Sequence, residues 1–189
     1  MIVGLSGYAQ SGKDTVAQLM QQIEPTFQRV AFADPLREML YALDPIVDLR
    51  SNTGRAWPRR VAQIVDEEGW EVAKTKYPEV RALLQRLGTE AGRNVLGQDI
   101  WVRTGVRKIR ELEADGYDVV VTDVRFTNEA EAIVGELGEV WRIERPGTAP
   151  VNPHPSETAM DGWSFDRRIV NSGSYDDLAR RVAGILEGT

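Results

Sequence analysis

The stretch Ile2-Val-Gly-Leu-Ser-Gly-Tyr-Ala-Gln-Ser-Gly-Lys-Asp-Thr15, which follows Met1, decides the fold. A short apolar run comes first, and glycines at positions 7 and 12 follow it. Apolar residues then recur at helical spacing until Pro25 ends the pattern, namely Val16, Leu19, Met20 and Ile23. The pattern predicts a strand, a glycine-rich loop and a helix.

The loop between this predicted strand and helix fits a phosphate group. Gly7 and Gly12 let the backbone curve so that several N–H groups and the positive end of the helix point at one anion. Lys13 adds an ammonium group that can reach terminal phosphates. The alternative is a glycine turn that only joins strand to helix. A dinucleotide-binding loop is disfavoured, because glycines at 4, 7 and 12 do not give the G-x-G-x-x-G spacing.

Asp14 departs from the usual pattern, which places Ser or Thr after the lysine as a ligand for Mg²⁺. A carboxylate there can hold the ion directly or through water, and Thr15 can still donate to a phosphate. The alternative is that Asp14 is only a favourable charge in the first helical turn. A carboxylate beside phosphates needs a cation to offset the repulsion, so we favour the metal role.

Strand and helix patterns alternate further along the chain. Asp34 begins one predicted helix, Asn128 and Glu131 form a capping box before another, and Ser174 and Asp177 cap the last. Four more strands are predicted from apolar runs, at residues 30–33, 119–123, 140–143 and 168–170. The alternation predicts an α/β fold, a three-layer structure in which a five-stranded parallel sheet has helices on both faces.

The middle of the chain shows no clear strand. Pro58, Pro78 and Asp99 look like helix starts, and each precedes an apolar helical face. We therefore predict a single domain over residues 1–189, with a core of about 1–43 and 118–189 and a helical insertion of about 44–117.

Composition excludes several classes of function. The chain has no cysteine, which excludes disulfides, thiolate metal sites and cysteine nucleophiles. A single histidine, His154, is too few for a site built from several histidines. The net charge of −6 argues against a nucleic-acid polymer as a partner. No leader or membrane-span pattern is present, so we expect a cytoplasmic protein without a membrane partner.

Charged residues follow the predicted strands, where ligands of α/β sheets gather. Asp34 can position Mg²⁺ or an attacking oxygen, and Arg37 one turn later can clamp a phosphate. Asp123 and Arg125 can face Mg²⁺ and grip a phosphoryl oxygen. The alternatives are that Asp34 only caps a helix and that the second pair is a surface ion pair.

A polar stripe occupies the predicted insertion. Gln85, Thr89 and Arg93 recur every four residues, and on a continuous helix they could read a base edge and a phosphate. Asp99 adds an acceptor, and Trp101 adds a stacking surface. The alternative is that the stripe is only a solvated helix face.

Together these motifs resemble the bacteriophage-type deoxynucleoside monophosphate kinases, within the wider group of P-loop kinases that includes dephospho-coenzyme A kinase and phosphomevalonate kinase. A Gly-Lys-Asp loop is typical of these kinases. The matching pieces span nearly the whole chain in order: Gly7-x4-Gly12-Lys-Asp-Thr15, Phe32-Ala-Asp-Pro-Leu-Arg37, Leu84-Gln-x-Leu-Gly-Thr89 with Arg93, Gln98-Asp-Ile-Trp-Val102, Thr122-Asp-Val-Arg-Phe126 with Asn128-Glu129, Arg142-Ile-Glu-Arg145, and His154-x-Ser-Glu157.

The resemblance implies an Mg²⁺-dependent enzyme that moves the γ-phosphoryl group of ATP to deoxynucleoside 5′-monophosphates, giving diphosphates for DNA precursor supply. The alternatives are another small-molecule P-loop kinase, such as a dephospho-coenzyme A kinase, and a non-catalytic nucleotide-binding module. The resemblance is compatible with a homodimer and with the cytoplasm of a host cell, if the chain is of phage origin.

The resemblance also assigns the site residues. The catalytic residues are Lys13, Asp34 and Arg125. ATP is assigned to Gly7, Gln10, Ser11, Gly12, Lys13, Asp14, Thr15, Arg142 and Arg145. The acceptor is assigned to Asp34, Arg37, Gln85, Thr89, Arg93, Asp99, Trp101 and Arg125. Asp14 and Asp123 are the metal candidates on the chemistry of their carboxylates. One departure is that the proline-rich loop at 146–155, where related kinases often carry lid arginines, contains no arginine.

Overall fold

The computed structural model describes residues 1–52, 55–150 and 158–188. The chain divides into two compact units, which we call the sheet unit (Met1–Phe32 with Val102–Thr189) and the inserted unit (Ala33–Trp101). The single domain with boundaries near 43 and 118 stays a prediction. None of the helices in the described ranges is long and apolar enough to cross a bilayer.

Strands and helices follow one another along most of the chain. The strands are β1 (Ile2–Ser6), β2 (Phe27–Val30), β3 (Ile46–Asn52), β4 (Arg55–Arg60), β5 (Asp118–Val121), β6 (Glu139–Glu144) and β7 (Arg167–Val170). The helices are α1 (Lys13–Ile23), α2 (Asp34–Leu43), α3 (Val61–Lys76), α4 (Pro78–Gln85), α5 (Ile100–Ala114), α6 (Thr127–Gly135) and α7 (Tyr175–Leu186), with a π-helix at Arg86–Leu96.

The sheet unit contains a five-stranded sheet with the order β2-β5-β1-β6-β7. All its pairings are parallel, and Gly4 in the central strand β1 lies between Val121 of β5 and Val140 of β6. Because parallel strands end at the same edge, the segments after β1, β5 and β6 leave the sheet side by side. The predicted α/β fold with a five-stranded parallel sheet is confirmed.

Both faces of this sheet are buried, as continuous apolar strands require. One face packs against α1 and α7 through buried residues that include Leu5, Trp141, Met20 and Val182. The other packs against α5 and α6 through a second set: Ile2, Val121, Val140, Ile109 and Ile133. Full burial of each such aliphatic side chain contributes about 1.5–3 kcal/mol to stability, so the two layers fix the strand ends that carry the candidate site.

The second strand lies earlier in the chain than the apolar run at 30–33 predicts. β2 is an edge strand in which only Phe27 and Val30 are buried, and the apolar run falls where the chain has left the sheet. Phe32 is buried there beside α5, and a Cβ atom built at Gly105 would lie 2.4 Å from its ring. The run is apolar because it packs against a helix.

The inserted unit contains an antiparallel hairpin of β3 and β4, so the expectation of no strand after residue 43 is wrong. Pro58 pairs with Leu49 inside this hairpin and does not begin a helix; α3 begins at Val61. Proline is tolerated because both strands of a two-stranded sheet are edges. The unit has its own apolar core: Leu40, Val61, Ile64, Ala73, Tyr77 and Val80.

The start of α6 also differs from the prediction. The helix begins at Thr127, so Glu129 occupies the third helical position expected of Glu131. Its carboxylate accepts hydrogen bonds from the backbone N–H groups of Arg125 (2.7 Å) and Phe126 (3.1 Å). Glu129 is buried, and its two bonds fix the backbone turn that follows β5.

Candidate active site

The loop after β1 needs glycine at both position 7 and position 12. Gly12 has φ 102°, a left-handed conformation that favours glycine, and a Cβ atom there would lie 2.5 Å from the side-chain nitrogen of Asn171. A Cβ atom at Gly7 would lie 2.4 Å from the carbonyl oxygen of Ile143. The loop therefore passes closer to its surroundings than any side chain would allow.

Lys13 is the first residue of α1, and its ammonium group lies against the loop. The Nζ atom donates to the carbonyl oxygens of Gly7 (2.7 Å) and Tyr8 (2.9 Å). The positive charge, the backbone N–H groups and the helix N-terminus therefore stand together, which is the arrangement that binds phosphate. The geometry of this loop is that of a phosphate cradle.

The other predicted ATP residues surround Lys13 along the loop and first turn. Ser11 is 1% exposed, and its hydroxyl group has no hydrogen-bond partner among the residues that the structure describes. Gln10 is exposed with φ 63°, Asp14 is exposed, and Thr15 is half-buried. A buried hydroxyl without a partner is costly unless a ligand or water completes it, so Ser11 fits a loop that binds an anion.

Asn171, directly after β7, is hydrogen-bonded to the loop although it lies near the other end of the sequence. Its side-chain amide donates to the carbonyl oxygen of Ser11 at 3.0 Å, and its backbone N–H donates to the carbonyl oxygen of Glu144 at 2.7 Å. Sequence reasoning missed this residue. The available signal was its position after the last predicted strand, at the edge where ligands gather.

The side chain of Tyr8, a residue of the loop, contacts a cluster of residues that lie outside the loop. Its hydroxyl donates to Asp161 at 3.0 Å, and Arg142 donates to the same carboxylate oxygen at 3.1 Å. The guanidinium of Arg142 lies 4.6 Å from the Tyr8 ring centre and 5.4 Å from that of Phe165. Burial and the Asp161 carboxylate raise the pKa of Tyr8, so the phenol remains a hydrogen-bond donor across the neutral range.

The two arginines predicted for ATP are placed differently. Arg142 is 7% exposed within the cluster just described, whereas Arg145 is exposed after β6. The carbonyl oxygen of Arg145 accepts hydrogen bonds from Thr148 that close a turn. Residues 151–157, which include His154 and the second half of the proline-rich loop at 146–155, lie outside the described residues.

Asp123 and Arg125 follow β5, next to the strand that leads into the loop. Asp123 accepts a hydrogen bond from the backbone N–H of Phe32 at 2.8 Å, and so also ties β5 to the end of the segment after β2. The Arg125 side chain is exposed. Both residues therefore lie at the carboxyl edge of the sheet, as predicted.

The carboxylates present fit Mg²⁺ held jointly by protein and phosphates. Mg²⁺ in such sites takes one or two carboxylates and completes its shell with phosphates and water. Asp14 supplies one carboxylate in the first turn of α1, and Asp123 supplies another just after β5, the strand paired with β1. Over residues 1–52, 55–150 and 158–188, no three acidic or histidine side chains are grouped closely enough to bind a metal without other ligands.

Asp34 and Arg37, in the inserted unit, form an ion pair. Arg37 donates to the Asp34 carboxylate at 3.3 Å, and each side chain is about a quarter to a third exposed, at 26% and 30% respectively. Asp34 is the first residue of α2, where its charge also favours the helix N-terminus. Both side chains remain open to solvent.

The predicted polar stripe crosses a change of helix type. Gln85 ends α4, whereas Thr89 and Arg93 belong to the π-helix. A π-helix bonds residues five apart, so side chains four apart no longer lie on one line. Gln85, Thr89 and Asp99 are exposed, and Arg93 is half-buried.

Trp101 packs inside the inserted unit. It is 5% exposed, its indole N–H donates to the carbonyl oxygen of Gly88 at 2.9 Å, and a Cβ atom at Gly92 would lie 2.3 Å from its ring. Little of the ring is left for a base to stack on. The structure therefore places Trp101 as a support for the π-helix that carries Thr89 and Arg93.

Comparison with known proteins identifies related sequences. A family model described as deoxynucleotide monophosphate kinase matches residues 57–182. A putative deoxynucleotide monophosphate kinase of Acanthamoeba polyphaga mimivirus is 26% identical, over 99% of this chain and 96% of that protein. The deoxynucleoside-5′-monophosphate kinase of Escherichia phage T5 is 26% identical, over 90% of this chain and 89% of that protein. The deoxynucleotide monophosphate kinase of Escherichia phage RB69 is 29% identical, over 57% of this chain and 44% of its own length.

Solved structures agree on the fold. TT1252 from Thermus thermophilus superposes with a TM-score of 0.51 at 16% identity, over 100% of this chain and 97% of that one. A sugar kinase from Janibacter sp. HTCC2649 gives a TM-score of 0.50 at 13% identity, over 98% of this chain and 94% of that one. At such low identity, the likeness concerns the fold alone.

Proposed function

Because the chain belongs to the deoxynucleotide monophosphate kinase family, we propose that this kinase transfers the γ-phosphoryl group of ATP to the 5′-phosphate of a deoxynucleoside monophosphate. The products are ADP and the deoxynucleoside diphosphate, a DNA precursor, and the reaction takes place in the cytoplasm. The observation that supports this most strongly is the Lys13 ammonium held against the Gly7–Gly12 loop.

ATP binds with its phosphates in this loop. The backbone N–H groups and the N-terminus of α1 receive the phosphate charge, and the Lys13 ammonium, held at the loop, donates to phosphate oxygens. Gln10, Ser11 and Thr15 complete the loop, and Arg145 lies on the same donor side. The hydroxyl of Ser11 then gains the partner that it otherwise lacks.

Mg²⁺ would be held by Asp14 and Asp123 together with the phosphates. When bound, the ion neutralises charge on the phosphate oxygens. The two carboxylates that would hold it come from the first turn of α1 and from the residues after β5. Asp123 keeps its hydrogen bond to Phe32, which fixes the direction of its carboxylate.

The acceptor nucleotide binds to residues of the inserted unit, and Arg125 contacts phosphate. Arg37 grips the acceptor phosphate with its guanidinium fork, and Asp34 holds that fork in place. Gln85, Thr89, Arg93 and Asp99 contact the nucleoside, and Trp101 supports them by packing. The acceptor phosphate is already ionised, so alignment and charge neutralisation matter more than a strong base.

One assay tests the proposal. Purified protein is given ATP and Mg²⁺ with each deoxynucleoside monophosphate, each ribonucleoside monophosphate or dephospho-coenzyme A, and ADP is measured. We expect ADP with at least one deoxynucleotide. Lys13→Ala should lower kcat/KM about 100-fold or more, because it removes a charge aimed at the transferred group.

The matched control is Lys108→Ala, which removes an exposed lysine on α5 and should leave activity unchanged. ADP formation with dephospho-coenzyme A alone would establish the rival kinase. Binding of ATP without ADP formation on any acceptor would establish a non-catalytic nucleotide-binding module. Equal activity of the Lys13→Ala protein would contradict the role of the loop.

A further inference from the structure

Tyr8 connects the phosphate loop to side chains outside it. Its backbone carbonyl oxygen accepts hydrogen bonds from the Lys13 ammonium (2.9 Å) and from the backbone N–H of Ser11 (3.2 Å). Its phenol hydroxyl donates to Asp161 at 3.0 Å. The same residue therefore holds two parts of the loop with its backbone and is itself held by its side chain.

Arg142 completes the attachment. It lies in β6 opposite Ser6, the last residue of β1 before the loop. Its guanidinium stacks on the Tyr8 ring and donates to the Asp161 oxygen that also accepts the Tyr8 hydroxyl. Contact with an aromatic face and a charge-assisted hydrogen bond favour one rotamer of Arg142 and one position of the ring.

The burial of Arg142 argues against a direct contact with ATP. The Arg142 side chain is 8% exposed, whereas that of Asp161 is 42% exposed. Its guanidinium contacts the rings of Tyr8 and Phe165. Moving the guanidinium out to a phosphate would break its hydrogen bond to Asp161 and remove its contact with the Tyr8 ring. Arg142 is thus better suited to hold the loop than to bind the nucleotide.

We propose that Arg142 and Asp161 are positioning residues that hold Tyr8, and through the Tyr8 carbonyl fix Lys13 and Ser11 in the geometry that binds the ATP phosphates. This inference deepens the proposed function and rests on ATP binding at the loop, although not on the identity of the acceptor. Preorganising a loop lowers the free energy that binding must spend on ordering it. The expected consequence is tighter ATP binding.

Binding of ATP by isothermal titration calorimetry, with Mg²⁺ and without acceptor, tests the proposal. Tyr8→Phe keeps the ring but removes the hydroxyl, and Asp161→Ala removes its acceptor. Each should weaken ATP binding about threefold to tenfold, as loss of one hydrogen bond does. The double variant should bind ATP no more weakly than Asp161→Ala alone, because Asp161→Ala already removes the hydrogen bond that Tyr8→Phe removes. Tyr175→Phe, which removes an exposed hydroxyl bonded to Gln22, is the matched control.

Arg142→Met and Arg142→Lys separate positioning from direct contact. If Arg142 acts through Asp161 and Tyr8, its effect on the ATP dissociation constant will be smaller in the Asp161→Ala background than in the wild-type chain. If Arg142 bound phosphate directly, the two effects would multiply, which would overturn the proposal. Unchanged ATP affinity in the Tyr8→Phe and Asp161→Ala proteins would overturn it as well.

The kinetic readout distinguishes this inference from the proposed function. With an active acceptor, the Tyr8→Phe protein should show a raised KM for ATP and an unchanged KM for the acceptor. A loss of general folding would lower both affinities together and would contradict positioning. If no deoxynucleotide is phosphorylated but the calorimetric coupling is present, the proposed acceptor is wrong and the positioning role stands.

Discussion

The side-chain amide of Asn171 donates to the carbonyl oxygen of Ser11 at 3.0 Å, although the residues are 160 positions apart in the sequence. Asn171→Ala removes this bond and should weaken ATP binding about threefold to tenfold. Calorimetric titration with ATP and Mg²⁺ measures the change. Gln18→Ala, on the exposed side of α1, removes an amide that the loop does not use and should have no effect.

Asp14→Ala should raise the Mg²⁺ concentration needed for half-maximal activity by about tenfold or more, because the ion loses a carboxylate that orients it. The measurement is initial rate against Mg²⁺ at fixed ATP. Asp14→Asn keeps the shape and should be intermediate. If Asp14 is only a charge at the start of α1, the Mg²⁺ dependence will stay the same and stability will fall by about 0.3–1 kcal/mol.

Gly69→Ala should destabilise the protein by about 1–3 kcal/mol. Gly69 has φ 79° and ψ 162° within α3, a region of backbone conformation that is almost exclusive to glycine. Gly184→Ala is the matched control: it lies inside α7 with open space at its Cβ position, and should stabilise by about 0.5–1 kcal/mol. Urea denaturation should show a lower free energy of unfolding for Gly69→Ala and a higher one for Gly184→Ala. A higher free energy of unfolding for both variants would contradict backbone strain at position 69.

Leu137→Gly should stabilise the protein by about 1 kcal/mol. Leu137 follows α6 with φ 61°, and it is 96% exposed, so the change relieves a left-handed conformation without losing packing. Glu131→Gly, an exposed position within α6, should instead destabilise by about 0.5–1 kcal/mol. A fall in the urea midpoint for Leu137→Gly would show that the leucine makes a contact worth more than the strain.

Asp177 should make the stability of the protein fall at acidic pH. Hydrogen bonds from the backbone and side chain of Ser174, and then the Arg180 guanidinium, lower the pKa of Asp177 from 3.8 to about 2. The depressed pKa means that its stabilising contribution is complete above about pH 4 and is lost as the pH falls through 2. Asp177→Asn should therefore flatten the stability curve between pH 4 and 2, measured by thermal unfolding. Asp176→Asn should leave that part of the curve unchanged.

The stretch from Ile2 to Thr15 was enough to predict the strand, loop and first helix, because each signal is local. The apolar run is buried on both faces, and the glycines are required by backbone angles and by close approach. The residues around the loop that the sequence left unmarked, Tyr8, Asp161 and Asn171, act through contacts with distant parts of the chain. No spacing along the chain encodes such contacts.

The hairpin of β3 and β4 escaped prediction for a different reason. Leu49 is 64% exposed and Trp57 is 55% exposed, so the apolar residues of the hairpin do not alternate with burial as those of a half-buried strand do. In addition, Pro58 suggested the start of a helix, whereas it lies in β4. The π-helix is equally hidden, since residue propensities do not distinguish bonding to the fourth residue from bonding to the fifth.

The packing of Phe32 against Gly105 has a consequence for how such enzymes can be remodelled. The chain leaves the sheet unit at Phe32 and has returned to it by Gly105, so its exit and re-entry points touch. Residues 33–101 are thus inserted between two segments that touch within the sheet unit, and they have an apolar core of their own. A different insertion could be grafted between the same two points while the phosphate loop, its lysine and its anchoring side chains are kept. If the inserted unit binds the acceptor as proposed, acceptor specificity could then change while the phosphate loop stays the same.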